Sequence, residues 1–157
     1  MKSYALFLGC TIPARQLNYE ISARKALKAL GIDLVDLDGM SCCAPPPIES
    51  VAVDASLAVS AYNICLAEEA ELDLLTICSG CFQSLARTNE LLKKDAQLRR
   101  RVNQVLGKIG KEFKGSIEVK HYLKVLHDEV GVEEVRRNVT KQLKNIKAAP
   151  FYGCHLL

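Results

Sequence analysis

Leu72-Asp73-Leu74-Leu75-Thr76-Ile77-Cys78-Ser79-Gly80-Cys81 is the stretch that decides the fold. An apolar run of strand length passes straight into Cys-x-x-Cys, and helical spacing takes over at about Phe82. A cysteine pair at such a turn lies beside a helix N-terminus, which lowers thiol pKa and favours the anionic, metal-binding form. Gly80 lets backbone approach a bound group closely.

The same strand, cysteine, helix order recurs on either side. Residues 4–9 form a short apolar run ending in Gly9-Cys10. Pro13 then suits a first helical turn, and Leu17, Ile21, Leu27 and Leu30 mark a helix that Gly31 stops. Ile32–Leu37 reads as a second strand, followed by a loop, Gly39–Pro47, that contains Cys42-Cys43 and three consecutive prolines. Residues 51–71, rich in Ala, Val and Leu, predict a largely buried helix. Beyond the quoted stretch, a cap at Asp95 precedes a helical stripe of Leu98, Val102, Val105, Leu106, Ile109 and Phe113. Gly115 breaks it, Ile117–Lys120 is a short fourth strand, and residues 121–129 are a short helix. A last stripe runs Val132, Val135, Val139, Leu143 and Ile146, and Ala148–Tyr152 reads as a fresh strand.

Strands alternating with helices imply βαβ units and a parallel sheet. The expected fold class is therefore α/β: a Rossmann-like, doubly wound parallel sheet with cysteines at the carboxyl ends of its strands. Ligands of such sheets bind beyond those ends, so Cys10, Cys42-Cys43 and Cys78 should converge on one rim.

At 157 residues the chain is the size of one domain. Ala5-Leu6-Phe7-Leu8-Gly9-Cys10 is nevertheless echoed by Ala149-Pro150-Phe151-Tyr152-Gly153-Cys154. The reading is a first domain over 1–147 and the start of a second, truncated repeat over 148–157. No apolar run approaches a membrane span of ~20 residues. The N-terminal stretch lacks the apolar length and cleavage site of a signal peptide, which places the protein in the cytoplasm.

Seven cysteines in a cytoplasmic chain point to metal or redox chemistry rather than disulfides. Charge is split: residues 1–80 hold 5 Lys/Arg against 10 Asp/Glu, and residues 81–157 hold 16 against 8. Solvated helix faces account for this first, a docking surface for an acidic partner subunit second. Nucleic acid comes third, since acids dilute the basic residues and aromatics are few.

The spacing Cys10, Cys42-Cys43, Cys78-x-x-Cys81 offers five soft thiolates. Neighbouring side chains such as Cys42 and Cys43 point in different directions, awkward for one tetrahedral ion but suited to a larger inorganic core. Five also exceeds the four that a structural zinc or ordinary cubane takes. A structural zinc site and a Cys78/Cys81 dithiol exchanger stay open as rivals.

These residues resemble the cysteine-rich CCG domain, and most closely the opening half of the family of heterodisulfide reductase B subunits. The resemblance rests on Gly9-Cys10-Thr11-Ile12-Pro13-Ala14-Arg15, Asn18-Tyr19-Glu20, Ser41-Cys42-Cys43, Cys78-Ser79-Gly80-Cys81-Phe82, Lys120-His121-Tyr122-Leu123 and Tyr152-Gly153-Cys154-His155-Leu156-Leu157. Ala44 stands where the motif's name implies Gly.

The resemblance implies an iron–sulfur oxidoreductase subunit with a non-cubane 4Fe–4S cluster in each of two domains, cleaving a small-molecule disulfide or forming it in reverse. In methanogens that disulfide joins coenzyme M and coenzyme B. It further implies Cys10, Cys42, Cys43, Cys78 and Cys81 as ligands of the first cluster, with zinc as a possible substitute. Cys154 would be the first ligand of the second cluster. Other subunits of a redox complex are the implied partners, and this half alone would turn over poorly. The alternative is a structural zinc or electron-relay module. Cys65 reads as a small core residue, His121 and His127 have ordinary explanations at element ends, and Arg15 is the one charged residue placed to meet an anion.

Overall fold

The computed structural model describes residues 2–142 and 144–149. Its strands are β1 (Lys2–Phe7), β2 (Ile32–Val35), β3 (Leu74–Thr76) and β4 (Val119–His121). They form one all-parallel sheet in the order β2-β1-β3-β4. The expected α/β class is therefore what the chain adopts. The order reverses direction beside β1, so the crossover from β1 to β2 and the two that follow lie on opposite faces of the sheet.

The core divides accordingly. Alternation along β1 sends Tyr4 and Leu6 to one face and Ala5 and Phe7 to the other. On the first face they meet Ala23 and Leu27 of α2 (Leu17–Ala29), together with Val125. On the second, beyond the single-turn α3 (Pro46–Glu49), they meet α4 (Val53–Glu69) through Leu57, Ala61 and Ile64, and α5 (Ser79–Lys94) through Leu85 and Leu92. Val102 and Leu106 of α6 (Ala96–Leu106) close that layer. Leu74 and Leu75 are wholly buried on opposite faces of β3, and each such leucine contributes about 2 kcal/mol.

Several boundaries differ from the sequence pattern. The first helix is two: α1 (Thr11–Arg15) and α2 meet at Gln16, whose φ of −132° and ψ of 43° are not helical. The bend turns Leu17 and Ile21 outward, although their spacing places them on an inward stripe. Asp95 caps α6 as expected, accepting the Gln97 and Leu98 amides at 2.9 and 3.0 Å. The helix ends at Leu106, however, and a single 3₁₀ turn, Gly107–Ile109, closes on left-handed Gly110. Phe113 is buried from an irregular segment, where Asn103 holds its amide and carbonyl. Among the described residues the last stripe gives α8 (Val132–Arg137) and no further helix, and Val139 and Ile146 are exposed. The strand read at 148–152 and Cys154 lie almost wholly outside the described residues.

A short helix, α7 (Tyr122–Lys124), runs into π-helical turns over Val125–Val130. That winding carries Glu129 to the sheet, where it accepts hydrogen bonds from Lys2, Tyr4 and Lys120. Burial opposes the charge, but those three donors hold the Glu129 carboxyl down at about 2, below its ordinary 4.5. A depressed carboxylate contributes stability that is present above about pH 4.5 and lost as pH falls toward about 2. In Glu129→Gln the acid limb of a stability–pH curve should flatten over that window, measured by urea unfolding at each pH.

Candidate functional site

The rim begins where β1 and β3 end, at the point where the strand order reverses. Gly9, at a left-handed φ of 71°, turns the chain from β1 toward Cys10 and α1. It also lies against Cys81: a Cβ at Gly9 would sit 2.7 Å from Cys81 Sγ. Only a residue without a side chain leaves that sulfur its place. Cys78 precedes the first turn of α5, Cys81 lies within it, and the Cys78 amide is tied back to Thr76 Oγ1 at 3.2 Å.

The loop with Cys42 and Cys43 has no secondary structure and is fastened by α4. Ser60 Oγ donates to the Cys43 carbonyl at 2.8 Å and Ser56 Oγ to the Ala44 carbonyl at 3.1 Å. Asn63 Nδ2 donates to the Cys42 carbonyl at 3.0 Å, while its Oδ1 accepts the Ser41 amide at 2.8 Å. All three side chains are buried. Positions 56, 60 and 63 share one helical face, and that polar stripe in an otherwise apolar helix was the available signal, missed beneath the Ala-rich composition. Ala44 takes a left-handed φ of 49°. The position thus keeps the conformation that favours glycine, at a cost of about 1–2 kcal/mol for a residue with a side chain.

Cys43, Cys78 and Cys81 come into one thiol group. Cys81 donates to Cys43, whose thiol that bond lowers to about 7 against the opposing effect of burial. Its bonds to Cys43 and Cys78, with burial, push Cys81 well above the ordinary thiol range. Cys43 and Cys81 are buried, Cys78 is half-buried, and Cys10 and Cys42, next in sequence to Gly9 and Cys43, are exposed. Among the described residues no three His, Cys, Asp or Glu side chains are set to grip a single metal ion. Cys65 lies apart in the core, its thiol raised to about 12 chiefly by burial, as a packing residue should be.

Around this group stand aromatic rings. Tyr19 Oη donates to the Ile77 carbonyl at 2.8 Å, one residue before Cys78. Tyr19 and Tyr122 meet edge-on at 6.4 Å. The His121 imidazole meets Phe82 at 5.6 Å and Tyr122 at 4.9 Å, and its Nδ1 accepts the Leu123 amide at 3.4 Å. Burial lowers the His121 pKa to about 4, so the ring is neutral near pH 7. His127 is exposed beside Asp128, and Arg15 is exposed at the end of α1.

The family model described as cysteine-rich domain, CCG, matches residues 4–86, more than half of the chain and every one of the five rim cysteines. The chain belongs to the CCG cysteine-rich domain family. Over its whole length this CCG chain is 41% identical to the B subunit of the ferredoxin:CoB-CoM heterodisulfide reductase of Methanosarcina mazei, covering 52% of that protein. It is 37% identical to a protein of Archaeoglobus profundus described as like the heterodisulfide reductase B subunit, covering 53% of it. Over 99% of the chain it is 36% identical to the 8-methylmenaquinol:fumarate reductase membrane anchor subunit of Wolinella succinogenes, covering 54% of it. The chain thus spans about half the length of the curated relatives it matches. A hypothetical protein from Helicobacter pylori, solved by crystallography, shares the fold with a TM-score of 0.68 and 22% identity, over 76% of this chain and 24% of that one. No helix among the described residues is long and apolar enough to cross a membrane.

Two substitutions test what holds the site. Asn63→Ala removes the hydrogen bonds that hold the Ser41 amide and the Cys42 carbonyl, each worth about 0.5–1.5 kcal/mol; urea unfolding should show a loss of about 1–3 kcal/mol, with faster alkylation of Cys43. Gly9→Ala combines a left-handed alanine with the contact on Cys81 Sγ and should cost about 2 kcal/mol or more in the same assay.

Proposed function

We propose that this CCG domain is the first half of an iron–sulfur oxidoreductase subunit of the heterodisulfide reductase B type. Cys10, Cys42, Cys43, Cys78 and Cys81 hold a non-cubane 4Fe–4S cluster at the rim. Residues 1–147 form the first cysteine-rich domain and 148–157 open a second. The observation that carries this reading is the meeting of Cys43, Cys78 and Cys81 thiols at the switch point of the sheet, with Cys10 and Cys42 beside them. Five soft donors spread over three loops, rather than clasped about one point, suit a polynuclear core. Gly9 supplies the bare backbone that a bulky inorganic group needs close to Cys81.

When bound, the cluster supplies electrons for the reduction of a small-molecule disulfide, RSSR + 2 e⁻ + 2 H⁺ giving two RSH, with a partner subunit as the electron source. The chain's own residues prepare the site. Ser56, Ser60 and Asn63 fix the Cys42-Cys43 backbone, the N-terminus of α5 sets positive potential beside Cys78 and Cys81, and burial of Cys43 and Cys81 keeps water from the inner thiols. The disulfide is reduced between this rim and that of the second domain, in the cytoplasm, so the half alone turns over poorly.

A 36%-identical relative named as part of a quinol:fumarate reductase favours a second reading, an electron relay within a larger complex. In the full-length protein, Cys43→Ser should abolish disulfide reduction while the complex still assembles; loss of assembly alone would favour the relay or a structural metal.

The direct test is iron, zinc and acid-labile sulfide per chain after reconstitution without oxygen. Iron and sulfide should appear in near-equal amounts and disappear together when Cys42 and Cys43 are both replaced by Ser. Stoichiometric zinc without sulfide would overturn the cluster assignment.

A further inference from the structure

Among the described residues, His121 carries a proton with no acceptor. Its Nδ1 accepts the Leu123 amide, so in the neutral ring the proton sits on Nε2. The residue is 2% exposed, and Nε2 has no hydrogen-bond partner among the described residues. A buried donor left so bears its full desolvation penalty, and native folds keep few of them. Water is a poor remedy, because a buried water needs two to four polar partners and the imidazole lies against the rings of Phe82 and Tyr122.

The ring's place in the fold indicates what would accept the proton. His121 ends β4 and pairs with Thr76 of β3, whose Oγ1 holds the Cys78 amide. Phe82, which the imidazole meets edge-on, follows Cys81 directly, and its amide bonds the Cys78 carbonyl. His121 is therefore built against the strand-to-helix turn that presents two of the rim thiols. The acceptors that a loaded rim adds there are sulfurs.

We propose that His121 contacts the cofactor, its Nε2–H donating a hydrogen bond to a sulfur of the iron–sulfur group at the Cys78–Cys81 turn and thereby raising that group's reduction potential. A donor on sulfur stabilises the more negative, reduced state, and hydrogen bonds to the sulfurs are among the determinants of cluster potential. The inference rests on the cluster reading above, and adds to it a residue that is not a ligand.

Two amide substitutions separate the ring's two roles. His121→Asn keeps an acceptor for the Leu123 amide and deletes the outer donor; His121→Gln sets an amide N–H where Nε2–H was. Each full chain is reconstituted without oxygen, assayed for iron and sulfide, and titrated to its midpoint potential with the paramagnetic resonance spectrum recorded. His121→Asn should bind the same iron and sulfide as the parent, shift to lower potential and change the spectrum. His121→Gln should return toward parent values. In urea, the cluster-free Asn and Gln variants should lose stability to a similar extent, since each exchanges a packed imidazole for an amide that buries its own N–H groups.

A parent-like potential and spectrum in His121→Asn overturns the proposal. So does loss of iron from both variants, which would give His121 a role in the fold alone. Destabilisation of the cluster-free Asn variant well beyond that of the Gln variant, without a potential shift, would mean an internal acceptor, such as the unpartnered Gln83 Oε1, takes the proton, and overturns it too. A parent that takes up no iron or sulfide defeats the cluster reading itself, and this inference with it.

Discussion

Four hydrogen bonds from one helix decide where the paired cysteines stand. The segment from Ser41 to Ala44 belongs to no strand or helix, and Cys43 and Ala44 are buried while Ser41 and Cys42 reach the surface; a buried carbonyl needs a partner. Ser56, Ser60 and Asn63 of α4 supply those partners. Because α4 is itself fixed by Leu57, Ala61 and Ile64 in the core, the loop inherits the rigidity of the sheet. A left-handed Ala44 is tolerated because the contacts on either side of it over-determine the path of the chain.

The parallel sheet then brings this loop to the other cysteines. In a doubly wound sheet, β1 and β3 are neighbours in space though far apart in sequence, and their carboxyl ends open on a single crevice. Gly9 and Cys81 face each other across it so closely that the identity of residue 9 is set by the volume of a sulfur atom. The helix bend at Gln16 serves the same place. It sacrifices the burial of Leu17 and Ile21, and α2 brings Tyr19 over the end of β3, where its hydroxyl holds the Ile77 carbonyl.

The convergence of the cysteines was legible because it follows from topology: strand, cysteine, helix, repeated in a parallel α/β chain, leaves the cysteines on one rim whatever the details. Element types were legible for the same reason, since period and length separate a short apolar strand from α4 or α5. The supporting residues were not. Ser56, Ser60 and Asn63 look like ordinary dilution of an Ala-rich helix until the loop they hold is known to lie above them. The break at Gln16 carries no Gly, and Pro13 falls inside α1 rather than at the bend. Val139 and Ile146 keep helical spacing, but a periodic stripe becomes a helix only where a surface exists to bury it. His121 is the plainest case: its capping role at the end of β4 can be guessed from position, whereas an unpaired Nε2–H can be seen only when every neighbour is in place.

The electrostatics of the rim follow from the same enclosure. Cys43 and Cys81 are shifted most by each other; for Cys81 the hydrogen bond with Cys78 comes next and then burial, and for Cys43 burial comes next and then the charge of Cys78. Three thiolates in contact in a partly desolvated crevice would repel one another. Within the group Cys81 keeps its proton and gives its hydrogen bond to Cys43, which is the thiol held lower, at about 7. Cation binding reverses that balance, because thiolates that repel one another become the preferred ligands once positive charge lies among them, and each proton they hold must then be released. A site arranged in this way binds metal at the expense of protons. Its affinity should depend on pH more steeply than a single exposed thiol would, because several protons leave together as the metal enters.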